Sequence, residues 1–252
     1  MIRAGRGKFK SGFLEWGLAL AATRQLPFEL GHAAGKARDD LVVSRANRAA
    51  VSMIDRWPAW PSPVGIVCGP AGSGKSHLAE IWTEAANAVA VEPGAIRPET
   101  LAMAEIRPLS IDGVDTAPID ETGLFHLLNV VRAHGGSLLL TARRPPSAWP
   151  LGLPDLASRL QAATRAHIDQ PDDVLLEAVL TKLFSDRQVA VEPNVTGYLV
   201  RRMERSLAEA TALVHDLDRA ALSLKAPVTR ALAQRVLQDR GYAGRTATRS
   251  SP

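Results

Sequence analysis

Gly69-Pro70-Ala71-Gly72-Ser73-Gly74-Lys75-Ser76 satisfies the pattern G-x-x-x-x-G-K-[ST] at every position. The apolar run Val64–Cys68 precedes it, and Ser76–Ala88, with helical spacing, follows it. A glycine loop between a strand and a helix turns backbone N–H groups inward around phosphate oxygens, and the helix N-terminus adds a favourable field. In that setting Lys75 places its charge on the β- and γ-phosphates of bound ATP or ADP, and the Ser76 hydroxyl ligates Mg²⁺. The loop needs a buried strand behind it and a helix ahead, so it constrains the chain to an α/β arrangement.

The rest of the chain keeps to that arrangement. Pro108–Asp112 reads as a second strand, Glu121–His134 as a helix and Ser137–Thr141 as a third strand. Strands alternating with helices predict a parallel sheet flanked by helices. Upstream, a helix is predicted from Ser44, as N-cap, to Trp57, stopped by three prolines within Pro58–Pro63. From Asp172 onward helical spacing alone remains, near 173–186, 194–204, 207–224 and 229–239. That pattern predicts a small all-helical domain after the α/β domain.

Asp112 ends the second predicted strand, 37 residues after Lys75. A carboxylate there holds Mg²⁺ through water, as the second acidic motif of phosphate-loop proteins does. Hydrolysis also needs a group that orients the attacking water, commonly an acid directly after this one. Here Gly113 follows, and Asp115 stands three positions on. Weak turnover within the chain is therefore expected. The plain alternative makes Asp112 and Asp115 solvated turn residues.

Composition excludes other classes. Of 252 residues 46% are hydrophobic and 22% charged, enough for a sizeable core in one or two domains. No run approaches the roughly 18 apolar residues of a membrane-spanning helix. The lone Cys68 forms no intrachain disulfide, which fits a reducing, cytoplasmic setting. Six histidines without i, i+4 pairs or partner cysteines argue against structural zinc. The net charge of +4 rests on two acid-free ends, with Arg3, Arg6, Lys8 and Lys10 at one and Arg240, Arg245 and Arg249 at the other. Between them acids outnumber bases, so no broad basic face for duplex DNA is expected. Residues 1–24 resemble an export leader, but Glu15 interrupts the apolar run. A flexible tail, or a start codon assigned too early, is the preferred reading.

The string Leu151-Gly152-Leu153-Pro154-Asp155-Leu156-Ala157-Ser158-Arg159-Leu160, following Leu138–Pro146, resembles the DnaA family of AAA+ ATPases. The likeness is greater to the Hda-type members, which switch the initiator off, and spans about residues 25–240. It implies an AAA+ domain over residues 41–170, a helical lid over 171–240 and a disordered basic tail over 241–252. Arg159 then corresponds to the arginine finger, which reaches a neighbouring subunit's γ-phosphate. Thr141 takes the first sensor position, although Arg143 stands where an acid is common. Arg205 matches the second-sensor arginine, and Asp40–Ser44 the segment flanking adenine. Read without the resemblance, Arg159 is a solvated helix residue, Arg205 part of the exposed run Arg201, Arg202 and Arg205, and Arg143-Arg144 a loop surface.

Two further features complete the expectation. Family initiators carry a duplex-reading helix-turn-helix domain after the lid, and this sequence ends about a dozen residues beyond the last predicted lid helix. Within residues 1–40, Gln25-Leu26-Pro27-Phe28-Glu29-Leu30 resembles the Gln-Leu-x-Φ-x-Leu peptide that binds the DNA polymerase sliding clamp. Gln25, Leu26, Phe28 and Leu30 are its anchors. Otherwise it is a hydrophobic segment packing on its own domain. The resemblance implies an inactivator of DnaA acting on clamp-loaded DNA, with DnaA and the clamp as partners and homo-oligomers possible in principle. A self-contained ATPase acting on single-stranded DNA, or a loader, is the competing expectation.

Overall fold

The structure is a computed structural model that describes Arg38 and residues 41–242. The peptide at 25–30 and the tail beyond Tyr242 lie outside the described residues. One sheet is formed by β1 (Val64–Cys68), β2 (Val89–Val91), β3 (Leu109–Ile111), β4 (Leu138–Ala142) and β5 (Thr164–His167). Its order is β2-β3-β4-β1-β5 and every pairing is parallel. Around it stand α1 (Arg48–Asp55), α2 (Lys75–Ala85), α3 (Pro98–Ala104), α4 (Glu121–Ala133) and α5 (Pro154–Gln161).

The strands β1 and β4 are buried along their whole length, which is why both read as unbroken apolar runs. Alternation sorts their side chains between two cores. Ile66, Leu138 and Leu140 pack with Leu124 and Leu127 of α4 and Leu156 and Leu160 of α5. Val67 and Leu139 pack on the other face with Met53 and Ile54 of α1 and Leu78 and Trp82 of α2. There Trp60 stacks on Trp82 at 5.5 Å, and Trp57 meets the same ring edge-on at 5.8 Å.

Beyond β5 come α6 (Asp173–Asp186), α7 (Val195–Val200), α8 (Leu207–Leu224) and α9 (Arg230–Asp239). Leu176, Leu180 and Phe184 of α6 meet Leu213, Val214 and Leu217 of α8 and Leu237 of α9 in a separate apolar core. Asp172, Ser206 and Thr229 cap three of these helices with their side chains. Among the described residues no helix is long and apolar enough to cross a membrane.

Several boundaries differ from the sequence reading. The first helix begins at Arg48, because Asn47 accepts from the Ser44 backbone N–H at 2.8 Å and Ser44 turns its hydroxyl onto Ala46 N–H at 3.1 Å. Such local side-chain bonds compete with helix at its start. The strands β2 and β5 and the helix α3 add to the predicted elements. Arg240, grouped above with a basic end, belongs to the folded body: it bonds Glu209 at 3.0 and 3.1 Å and also pairs with Asp216.

Candidate nucleotide site

Because the strands are parallel, the segments leaving β1, β3 and β4 emerge at one edge of the sheet. Gly69 leaves β1 and donates its N–H to Ala142 O at 3.1 Å. Gly72 and Gly74 then take φ of +70° and +99°, a region that side-chain-bearing residues rarely enter. These turns aim the chain into α2, whose N-terminus faces the loop. Lys75 is buried and donates from Nζ to Pro70 O at 2.7 Å. Burial holds its ammonium below the usual lysine range; the charge of Arg143 acts the same way, while Asp112 and Asp115 oppose it. The Ser73 hydroxyl, buried inside the loop, has no partner. A buried, unbonded hydroxyl in a glycine loop fits an anionic oxygen as its missing acceptor.

Asp112 follows β3 and gathers the site's hydroxyls. Ser76 donates to its Oδ2 at 2.7 Å, and Thr141, in β4, donates to its Oδ1. Thr141 in turn accepts from Gly113 N–H at 2.8 Å. Ser76 and Asp112 are the hard oxygen donors that Mg²⁺ takes beside substrate phosphates. Among the described residues no group of three or more His, Cys, Asp or Glu is placed to hold a metal alone. A metal here would therefore depend on phosphate oxygens as well. The residues present fit a magnesium nucleotide. Beneath them Cys68 is buried, and burial pushes its thiol up to about 11.

Asp115 is not the solvated turn residue of the plainer sequence reading. Its side chain is 1% exposed. It accepts from the backbone N–H groups of Arg143 at 2.8 Å and Arg144 at 3.0 Å. The loop after β3 is thus pinned to the loop after β4.

The helical part closes over the phosphate loop. Leu207 donates its N–H to Gly72 O at 2.7 Å, and Ser206 caps α8 through Glu209 N–H at 3.3 Å. One residue earlier, Arg205 pairs with Asp173 at 2.7 Å and bonds Pro171 O at 3.2 Å. Its side chain stays 45% exposed in that pair, whereas Arg202 lies over the Tyr198 ring at 4.0 Å. Sequence reasoning passed over Ser206 and Leu207. Their signal was the capping pattern Ser206-Leu207-Ala208-Glu209.

Arg159 lies elsewhere. It bonds Asp155 at 3.1 Å and Asn129 of α4, and lies over the Phe125 ring at 4.9 Å. Its side chain is 29% exposed. None of these partners belongs to the phosphate loop. On the other side Leu41–Ser44 leads into Asn47, which bonds Val42 O at 2.9 Å, while Asp169 N–H reaches Ala46 O at 2.9 Å. Asp40 lies outside the described residues.

No family model matches the chain. Among solved structures, domain III of the Thermotoga maritima replication initiation protein DnaA superposes with a TM-score of 0.71. It shares 17% identity, covering 82% of this chain and 97% of that one. The replication initiator DnaA bound to AMPPCP and single-stranded DNA gives 0.62 at 15% identity, over 74% and 67%. The RuvB Holliday junction branch migration motor of Thermotoga maritima gives 0.63 at 15%, over 81% and 72%.

This chain has the AAA+ fold. The likeness, which spans 82% of this chain in the first of these structures, is one of fold. In this chain Gly113 follows Asp112, and Asp115 is engaged with backbone N–H groups. The contact between the phosphate loop and the start of α8 is also tight. A Cβ on Gly72 would lie 2.0 Å from Ser206 Oγ, at a φ already unfavourable for it. Gly72→Ala is expected to destabilise the chain by about 1–3 kcal/mol and to weaken ATP binding. Thermal unfolding with and without nucleotide checks this, and an unchanged midpoint contradicts that packing.

Proposed function

We propose that this chain is a cytoplasmic regulator of the Hda type that inactivates the replication initiator DnaA. It holds ADP or ATP with Mg²⁺ between the sheet and the lid, using residues 69–76, Asp112 and Arg205. Gln25, Leu26, Phe28 and Leu30 tether it to the polymerase sliding clamp on DNA. From there it presents Arg159 to ATP on DnaA, lowering initiation.

One contrast carries the reading. Among the described residues neither Gly113 nor Asp115 gives its own site a free water-orienting carboxylate, while Arg159 is held partly exposed by Asp155, Asn129 and Phe125, away from its own phosphate loop. An arginine so placed serves a second nucleotide better than its own. A guanidinium delivered in trans stabilises charge developing on the phosphate being transferred. Asn129 and Asp155 orient that guanidinium before the partner arrives, which lowers the ordering cost of docking. In its own site Lys75 would hold the nucleotide phosphates, and Ser76 with Asp112 would hold the Mg²⁺ that offsets their charge. Thr141, bonded to Asp112 and Gly113, ties that site to the loop after β3.

The test is hydrolysis of DnaA-bound ATP on clamp-loaded DNA, with and without this chain. Acceleration is the expected outcome, and its absence overturns the reading. The tether has its own prediction: Gln25→Ala with Phe28→Ala abolishes clamp binding, measured by surface capture, and unchanged affinity removes the tether.

A second reading, a self-contained ATPase on single-stranded DNA, is favoured by the likeness to the DnaA structure bound to AMPPCP and single-stranded DNA. It predicts steady ATP turnover by the chain alone and oligomers that form on ATP.

A further inference from the structure

The Asp115 carboxylate is among the most enclosed charged groups described, and the nucleotide reading gives it no task. Enclosing a carboxylate is costly unless it is hydrogen-bonded. Asp115 takes its two bonds from main-chain N–H groups, at Arg143 and Arg144, with Arg144 Nε a further 3.8 Å away. Bonds to backbone fix where the chain itself runs, not merely one rotamer.

Three anchors surround that point. Ala142 O accepts the N–H of Gly69, where the phosphate loop starts. Thr141 is bonded to Asp112 and Gly113. Asp115 then takes the next two N–H groups. Arg143 is therefore held at the rim of the phosphate loop. Its guanidinium is exposed and has no acceptor or ion pair among the described residues. Arg143 directly follows Ala142, whose carbonyl oxygen accepts the first N–H of the phosphate loop that buries Lys75. Two cations held at one loop repel each other until a polyanion enters, and then both attract it.

We propose that Arg143 is a second phosphate-binding cation of this site, and that Asp115 is the positioning residue that holds it there. The inference rests on the nucleotide reading and deepens it. Its contribution grows with the charge of the ligand, so it favours a nucleoside triphosphate over a diphosphate and leaves the nucleoside unaffected.

The experiment is calorimetric titration of the full chain with ATP, ADP and adenosine at two salt concentrations. Arg143→Ala is expected to lose about tenfold in ATP affinity, less in ADP affinity and nothing for adenosine. Its ATP affinity also becomes less dependent on salt. Arg143→Lys restores most of the loss. Asp115→Asn moves ATP affinity in the same direction, and adding it to Arg143→Ala costs little more. If Asp115→Asn does not fold, the Arg143 variants decide alone. Wild-type affinities in Arg143→Ala overturn the proposal, as does an equal loss for all three ligands, which marks a structural role. A folded wild-type chain that binds neither ATP nor ADP overturns the nucleotide reading itself, and this inference with it.

Discussion

Arg159→Ala is expected to abolish the acceleration of ATP hydrolysis on DnaA, a loss of about 10³-fold or more if the residue acts as fingers do in well-studied GTPases. The same change should leave the chain's fold nearly intact. Arg159 bonds Asp155 and Asn129 and covers Phe125 at a partly solvated surface, and such contacts contribute little individually. The Asn129 amide regains water when the guanidinium goes, so no buried orphan remains. A thermal midpoint close to wild type, ATP binding within about twofold and lost stimulation form the expected triad. Arg159→Lys separates charge from shape. Lysine keeps the charge but not the planar fork, so most of the stimulation should still be lost. If Arg159→Ala stimulates like wild type, the finger lies elsewhere.

Lys75→Ala is expected to weaken ATP binding by roughly 100-fold, since one charge-assisted bond to phosphate is worth about 1.5–3 kcal/mol. Stability of the nucleotide-free chain should not fall with it. Burial lowers the Lys75 pKa, so the folded state binds that proton more weakly than the unfolded state does. The charged ammonium thus costs stability below its folded pKa, and the cost is relieved as pH rises through it. Removing the side chain removes that cost, together with a single bond to Pro70 O. The same shift gives a pH dependence. ATP affinity should decline at a pH below the ordinary lysine range, as the lowered pKa is passed. Calorimetry across that range checks both statements, and undiminished ATP affinity in Lys75→Ala contradicts the site.

Much of this was legible because it is local. The phosphate loop is contiguous, and β1 and β4 announce themselves as apolar runs covered on both faces. The long helices α6 and α8 begin at side-chain caps, Asp172 and Ser206, and run through clear apolar spacing to the predicted ends. What was not legible depends on distant partners or weak patterns. The strands β2 and β5 are short and only half-buried, so neither builds a strong apolar run. Asp115 looked like a surface turn because the N–H groups that hold it come from residues 28 and 29 positions away. The docking of Leu207 on Gly72 joins two cores far apart in sequence, and no local pattern specifies it. Arg205 stood out only through a family resemblance, and its ion-pair partner Asp173, 32 positions away, has no local signal.

The central claim is that this chain completes another protein's site and spares its own. The most direct measurement follows two labels in one mixture, with DnaA preloaded with ATP carrying one isotope and this chain with ATP carrying another, on clamp-loaded DNA. Rapid loss of the γ-phosphate from the DnaA-bound label is expected, while the label on this chain persists. Loss from this chain's own label, with the DnaA-bound label stable, would contradict it.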